Sequence, residues 1–260
     1  MTPFDVWRDD LAGWAIPEAI LAQAPESPWF HDPAAFAADG SIARDSISNQ
    51  RAREVHGDSG SVLDVGCGGG RSSLALVPPA NKVTGVDAHA TMLANFADAV
   101  RAAGATPYTV EGNWPEVAPA TEPADVVVCH HVLYNVAEIE PFVRALHGHA
   151  HHRVVVELTS VHPQSVFAPA WWHFWAIVRP SRPTAESAAD AIGAMGFDVN
   201  LQMGPRSPLA AAAADFDRQV AGLRRRLCLP AERDAEVANW LKKNPIDAGN
   251  RRAATLWWDV

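Results

Sequence analysis

The sequence contains few cysteines and no excess of basic residues. Three cysteines stand at positions 67, 129 and 228, and their odd number and wide spacing favour reduced thiols over a disulfide framework. Basic residues number 21 against 30 acidic ones, which gives a formal net charge of −9. A broad surface for nucleic-acid phosphates needs the opposite balance, so we expect no nucleic-acid partner.

Long apolar runs are also missing. Stretches such as PAWWHFWAIV are too short to cross a bilayer, and the N-terminal segment MTPFDVWRDD lacks the apolar core of a secretory signal. We therefore predict a cytoplasmic protein without a membrane partner. The oligomeric state stays open at this level.

What the sequence does contain is a regular alternation of strand-like and helix-like segments within its 260 residues. Hydrophobic residues make up 48% and charged residues 20%, an ordinary globular composition that favours one α/β core. Short β-branched runs between helical patterns are typical of right-handed crossovers and a parallel sheet. The predicted strands are SVLDVG, KVTGVD, TPYTVEG, ADVVVCHH, HRVVVEL, FDVNLQM and ATLWWDV.

Segments outside these strands predict decorations on the core. Residues 1–57 hold short apolar groups broken by prolines, and we interpret them as an N-terminal helical lid. Residues 58–260 form the predicted main domain, with cap insertions at about 160–183 and 205–245. The chain has ten tryptophans, several of them outside the sheet, which indicates an aromatic-lined pocket or cap.

The segment LDVGCGGGR predicts a ligand-binding turn. Gly66, Gly68 and Gly70 follow a strand and precede a helix, where glycine lets a ligand approach the backbone. Arg71 stands where the dinucleotide fingerprint needs its third glycine. Asp64 would repel a pyrophosphate but suits a ligand that bears an ammonium and a sulfonium group.

With these residues the sequence resembles the class I S-adenosylmethionine-dependent methyltransferases, from about residue 61 to 158. LDVGCGGG is similar to their first motif and VTGVDAHATML to their second. The resemblance implies a doubly wound, seven-stranded, mostly parallel sheet of Rossmann-like type, whose last strand is antiparallel beside the fifth and sixth. It implies S-adenosyl-L-methionine as cofactor, held at its methionine part by Asp64 and by the backbone through Gly66, Cys67 and Gly68. Asp87 would bind the ribose, and Ala88 and Met92 would flank the adenine.

Two further segments extend the resemblance. In EGNWPEV, Asn113 replaces a common aspartate that accepts from the adenine amine, and the amide oxygen can still accept. Trp114 offers a stacking face for the adenine. CHHVLYNV is similar to the family segment that faces the sulfonium, and His130 is expected to contact the cofactor through its backbone.

Candidate bases surround the expected reaction centre. Many oxygen and nitrogen acceptors must lose a proton during methyl transfer, and histidine titrates near neutral pH. His131, Tyr134 and His162 are therefore the candidate catalytic residues, and a packed, satisfied side chain is the alternative for each. We expect O- or N-methylation of a small-molecule acceptor. An RNA or protein methyltransferase, or a non-catalytic regulator that binds the cofactor, remain the alternatives.

Three other clusters allow two interpretations each. The histidines between 147 and 152 resemble a metal cluster, but a solvated helix end explains them better, and we predict no metal. Residues 171–175, WWHFW, could form an aromatic wall for the acceptor or anchor the cap on the core. The three arginines at 224–226 could bind an anionic acceptor, although a solvated face is favoured.

Overall fold

Seven strands form one sheet in the computed structural model, which describes residues 1–29, 44–57, 59–206, 215–246 and 251–260. The spatial order is β3-β2-β1-β4-β5-β7-β6. The strands are β1 Gly60–Val65, β2 Ala80–Asp87, β3 Thr106–Glu111, β4 Ala124–His130, β5 Ala150–Thr159, β6 Asn200–Arg206 and β7 Arg252–Asp259.

The strand directions confirm the predicted doubly wound sheet. Strands β1 to β5 pair in parallel, and β7 is antiparallel to both of its neighbours, β5 and β6. The central strands β1, β4 and β5 are buried on both faces, which explains why their sequences are continuous apolar runs rather than alternating ones.

Helices cover both faces of the sheet. One hydrophobic cluster joins Leu63, Val127 and Val156 to helices on the first face, and a second joins Val62 and Val126 to helices on the opposite face. The helices are α1 Pro3–Ala12, α2 Glu18–Leu21, α3 Ile47–Arg53, α4 Arg71–Leu74, α5 Ala90–Ala102, α6 Ile139–Gly148, α7 Ala168–Trp175, α8 Ala185–Ala194, α9 Phe216–Arg226 and α10 Asp234–Lys243.

The described parts of the predicted N-terminal lid lie on both faces of the sheet. Trp7 of α1 is fully buried among α6 and α8, and its indole N–H donates to the Val136 carbonyl at 2.8 Å. Helix α3 instead packs on β5 and β7 at the opposite face, where Ala52 is fully buried. These two helices therefore complete the layers of the core, because each buries its apolar side against a different face of the sheet.

The segments after β5 and β6 meet in a third hydrophobic cluster. We call α7, α9 and α10, with residues 163–167, the cap; its apolar side chains pack together with Ile16 and Ile20 from the N-terminal segment. Helices α9 and α10 are separated by a break at Cys228, whose φ is 56°. Part of the second predicted insertion, at 207–214, lies outside the described residues.

In the described part of the chain, none of the helices combines the length and apolar character that a membrane crossing requires.

Candidate cofactor and acceptor site

The turn after β1 is held against β2 and β4 by its glycines. Gly66 has φ 73°, and a Cβ atom there would lie 2.4 Å from Val132 Cγ2 beyond β4, so a side chain does not fit. The backbone N–H groups of Gly66 and Cys67 both donate to the Val86 carbonyl, at 2.8 and 3.1 Å. Gly70, with φ 89°, then opens α4. The turn therefore stands at the carboxyl edge of the parallel strands, where open α/β sheets bind ligands.

Asp64 lies directly beneath this turn and is fully buried. Ser72 Oγ donates to its Oδ2 at 2.6 Å, while Oδ1 is buried without a hydrogen-bond partner among the residues that the structure describes. Burial raises the pKa of Asp64 to about 6. A buried carboxylate with an unused acceptor is suited to a cationic group, because a charged donor would supply the missing hydrogen bond.

Asp87 connects the turn with the end of β2. Its Oδ2 accepts from the Gly68 N–H and its Oδ1 from the His89 N–H, both at 3.0 Å. A carboxylate has about four acceptor positions, so lone pairs remain for hydroxyl donors. The Gly112 N–H donates to the Asp87 carbonyl at 3.0 Å, which brings the exposed Asn113 to the same end of the sheet.

The residues predicted to flank an adenine fall into two groups. Ala88 is exposed and Met92 is half-buried at the start of α5, next to Asp87. Trp114 instead packs in the hydrophobic core, and its indole N–H donates to the Phe142 carbonyl at 3.2 Å. Its ring also meets His149 edge-on at 4.9 Å. The structure therefore does not present Trp114 as a stacking face, because the interior already encloses the indole.

His130 ends β4 directly opposite Glu157 of β5. Its Nε2 is buried and has no hydrogen-bond partner in the described ranges. Burial lowers the pKa of His130 to about 4, so the ring is neutral at physiological pH. A neutral imidazole nitrogen without a partner is a second polar atom at this edge that a bound ligand would satisfy.

His131 contacts Glu157 and keeps an exposed ring. It adopts φ 60°, and its backbone N–H donates to the Glu157 carbonyl at 2.6 Å. Its Nε2 lies 3.3 Å from Glu157 Oε1, and 56% of the side chain is exposed. A left-handed conformation in a residue other than glycine is uncommon and is maintained only where surrounding contacts compensate. Here the two contacts to Glu157 do so.

Glu157 is a site residue that the sequence analysis missed. Burial opposes the ionisation of Glu157, yet hydrogen bonds from His131 and Ser48 lower its pKa to about 2. Ser48 Oγ of α3 donates to Oε2 at 2.5 Å. The position of Glu157 as the acidic residue within the apolar run VVVEL was a sequence signal for a functional role. No local pattern distinguishes Ser48, since only the packing of α3 places it there.

Two of the predicted catalytic residues are packing residues. His162 is 7% exposed, its ring stacks on Trp14 at 3.9 Å, and its Nδ1 accepts from the Gln164 N–H at 3.3 Å. Burial lowers its pKa to about 3. Tyr134 lies edge-on to His162 at 5.2 Å and donates to the Thr159 carbonyl at 2.6 Å, and burial raises the pKa of its hydroxyl. Of the three candidates, the structure gives only His131 an accessible ring.

The histidines between 147 and 152 point to separate partners. His147 accepts from the Trp258 indole at 3.3 Å, and both ring nitrogens of His149 lie within 2.9 Å of backbone carbonyls. His152 is 3.9 Å from Asp125. Within the described ranges, no group of three or more His, Cys, Asp or Glu side chains is arranged to bind a metal ion.

Side chains of the aromatic run at 171–175 and of the arginines at 224–226 also contact separate partners. Trp171 is buried in the third cluster and the Trp175 indole donates to the Leu227 carbonyl, whereas 60% of Trp172 is exposed. Helix α7 therefore serves mainly to anchor the cap. Arg224 forms ion pairs with acidic side chains, at 3.0 Å to Glu26 and at 2.8 Å on α10.

The chain was compared with protein-family models and with curated proteins. Residues 62–152 match the family model described as a methyltransferase domain. None of the curated proteins compared with the chain matches it.

Three solved structures of similar fold cover most of the chain. Magnesium protoporphyrin IX methyltransferase from Synechocystis PCC 6803, solved with bound SAH, is 15% identical, with 83% of this chain and 80% of that chain covered and a TM-score of 0.51. The YcgJ protein from Bacillus subtilis is 15% identical over 82% and 97% of the two chains, with a TM-score of 0.52. Precorrin 8W decarboxylase from Methanobacterium thermoautotrophicum is 16% identical over 90% and 97%, with a TM-score of 0.51.

Proposed function

We propose that this chain is a class I S-adenosylmethionine-dependent methyltransferase, and that it methylates an oxygen or nitrogen atom of a small molecule with His131 as general base. The cofactor supplies an electrophilic methyl group on a sulfonium when it is bound. The protein must bind the acceptor in line with that methyl, exclude water and remove a proton.

The residues at the carboxyl edge fit the cofactor. The unpaired Oδ1 of Asp64 would accept from the ammonium of the methionine part, and the remaining lone pairs of Asp87 would accept from the ribose hydroxyls. A side chain at Gly66 would collide with Val132, so glycine keeps the turn close to the strand ends. Ala88 and Met92 adjoin Asp87 and would flank the adenine.

The packing of the cap is the observation that supports a small-molecule acceptor. The cap begins directly after the carboxyl end of β5 and buries its apolar side against Ile16 and Ile20. Trp14, which precedes these residues, stacks on His162 just beyond β5. Helices from three parts of the chain thus stand over one side of the edge. Such a covered edge is suited to enclosing a small ligand, whereas a macromolecule needs an open surface.

The contact between His131 and Glu157 supports the assignment of the base. An ionised Glu157 can only accept a hydrogen bond, so the His131 nitrogen beside it, Nε2, carries the proton. The lone pair of the neutral ring is then on Nδ1, which takes the acceptor proton. Glu157 stabilises the imidazolium that results, and Ser48 holds the other carboxylate oxygen.

The test is methyl transfer from labelled S-adenosylmethionine to a cell extract divided into small-molecule and macromolecular fractions. We expect label in the small-molecule fraction only. Label confined to RNA or protein would contradict the proposed acceptor class, and cofactor binding without transfer to any fraction would indicate a regulator.

Two glycine variants make the controls of this test. Gly66→Ala should abolish transfer, because its Cβ would lie 2.4 Å from Val132. Gly104→Ala imposes the same backbone strain, at φ 90°, but meets no atom within 4 Å, so it should remain active.

A further inference from the structure

One buried polar atom at the carboxyl edge has no role in the function proposed above. It is Nε2 of His130, the last residue of β4, which is buried and has no hydrogen-bond partner among the described residues. Buried polar atoms without a partner are rare in folded proteins, because a hydrogen bond with water is lost and not replaced. Such an atom therefore points to a group that binds beside it.

His130 and Asp64 project from the same face of the sheet. Asp64 pairs with Val128 in the parallel register of β1 and β4, and His130 follows Val128 by two residues. Residues two apart along a strand share a face, which here is the face of the second hydrophobic cluster. Strand spacing and rise place the Cα atoms of Asp64 and His130 about 8 Å apart. The two side chains are thus diagonal neighbours on adjacent strands.

The unpaired atoms of these two side chains are complementary to one cation. Asp64 Oδ1 and His130 Nε2 are both buried without a hydrogen-bond partner in the described ranges. A carboxylate only accepts, and a neutral imidazole accepts through the nitrogen that has no proton. Burial lowers the pKa of His130 to about 4, so its ring does not repel a cation at neutral pH. An ammonium group has three N–H donors and can therefore donate to both atoms at once.

The neighbouring side chains do not supply this cation. Ser72 donates to the other oxygen of Asp64, and Glu157, directly opposite His130 on β5, contacts Ser48 and His131. No lysine or arginine in the described part of the chain forms an ion pair with either carboxylate. Two carboxylates and a neutral imidazole thus lie at this edge without a fixed cation, which favours a bound one.

We propose that the side chain of His130 binds the ammonium group of the cofactor's methionine part, with Nε2 accepting from it beside Oδ1 of Asp64. This contact rests on the function proposed above, which assigns the same ammonium to Asp64. The family resemblance implied only a backbone contact for His130. Because hydrogen bonds from a charged donor are the stronger ones, His130 helps to select the complete cofactor over adenosine compounds that lack the ammonium.

The test is ligand binding, measured by calorimetry on the full-length protein without methyl transfer. The two ligands are S-adenosylhomocysteine and its deaminated analogue, which keeps the carboxylate but has hydrogen in place of the ammonium. His130→Asn should weaken S-adenosylhomocysteine binding about 10- to 100-fold, the range for a hydrogen bond to a charged group, and leave the analogue unchanged. Equal weakening of both ligands, or weakening of neither, overturns the proposal.

Two further variants distinguish this contact from packing. His130→Gln extends an amide to the place of Nε2, which the shorter asparagine does not reach, so it should retain more of the affinity than His130→Asn. His152→Asn is the matched control, because His152 lies near the amino end of β5 with 55% of its side chain exposed, and its affinity should equal that of the wild type. Equal losses in His130→Asn and His130→Gln would assign His130 to packing.

The wild-type protein keeps the proposal testable if these variants do not fold. In ¹⁵N NMR spectra of histidine rings, a nitrogen that carries a proton is distinguished from one with a lone pair. Nε2 of His130 should have the lone pair, and its signal should move on addition of S-adenosylhomocysteine but not of the deaminated analogue. A proton on Nε2 would overturn the proposal, because that nitrogen could not accept from an ammonium.

The two proposals fail separately. S-adenosylhomocysteine binding that is independent of the His130 imidazole would overturn this contact alone. A wild-type protein that does not bind S-adenosylhomocysteine would overturn the proposed cofactor and with it the contact. Methyl transfer only to macromolecules, together with ammonium-dependent binding at His130, would overturn the acceptor class and leave the contact in place.

Discussion

Two histidines at the carboxyl edge of the sheet have opposite environments. His131 has an exposed ring beside the buried, ionised Glu157, whereas His162 is enclosed between Trp14 and Tyr134. They lie on different sides of the sheet, one with α3 and the other with the aromatic end of the first face. Residue type and place along the chain therefore do not by themselves make a histidine a base. A charged partner and access to the acceptor do.

The largest effect that sharpens this contrast is expected from removing His131. The His131→Ala variant should lower kcat by about 10²- to 10⁴-fold, the usual contribution of a general base, with little change in cofactor affinity. His162→Ala should retain most of the activity of its folded fraction. Steady-state kinetics and calorimetry with S-adenosylhomocysteine measure both. If kcat stayed near normal in His131→Ala but fell sharply in His162→Ala, His162 rather than His131 would act as the base.

A second effect concerns the partner of His131. Glu157→Gln removes the charge that stabilises the imidazolium, so kcat should fall by about 10- to 100-fold. The KM for the cofactor should hardly change, because Glu157 contacts His131 and Ser48. Glu111→Gln, at an exposed position at the end of β3, should change neither kcat nor KM. A fall in kcat that is matched by a lower melting temperature would indicate a structural role for Glu157.

A third effect concerns stability at the enclosed histidine. The pKa of His162 is about 3 in the folded chain, well below the value near 6.5 in the unfolded one. The unfolded state therefore binds more protons between these values, and stability is lost as pH falls below about 6.5. One proton contributes at most about 1.4 kcal/mol per pH unit. The buried His130 acts in the same direction, with a pKa of about 4.

Chemical denaturation of variants at several pH values isolates the contribution of His162 to stability. His162→Phe keeps a ring against Trp14 but cannot be protonated, so its stability should fall less steeply with acid than that of the wild type. His151→Phe, at an exposed position, is the matched control and should retain the wild-type slope. An unchanged slope in His162→Phe would show that the enclosed ring is not the group that titrates.

The smallest effect is expected at Ser48, which donates to Glu157 from α3. Ser48→Ala removes one hydrogen bond to the carboxylate, and kcat should fall by about fivefold, with KM for the cofactor unchanged. Ser48→Thr keeps the hydroxyl and should restore part of the rate. Failure of the threonine variant to restore activity, together with a lower melting temperature, would assign Ser48 to packing of α3.

Much of the fold followed from local pattern. Strand-forming runs such as VVVC and RVVVEL are apolar because these strands are buried on both faces, and this regularity is readable in the chain itself. The glycine turn was equally predictable from the sequence. Position 66 requires glycine, because any side chain there would collide with Val132. The placement of α1 and α3 was not readable in this way, since the burial of Trp7 and Ala52 on opposite faces depends on surfaces far away in sequence.

The sequence by itself determined the sheet, the glycine turn after β1 and the places of Asp64 and Asp87 at the strand ends, because strand periodicity and turn chemistry are local properties. Only the tertiary structure decided which histidine is accessible. His131 and His162 are the same residue type, but their partners differ. Glu157 contacts His131 and Trp14 contacts His162, each from an element that is distant in the chain. Burial and charge are sums over such neighbours, so the chemistry of each ring is fixed by packing rather than by its own segment.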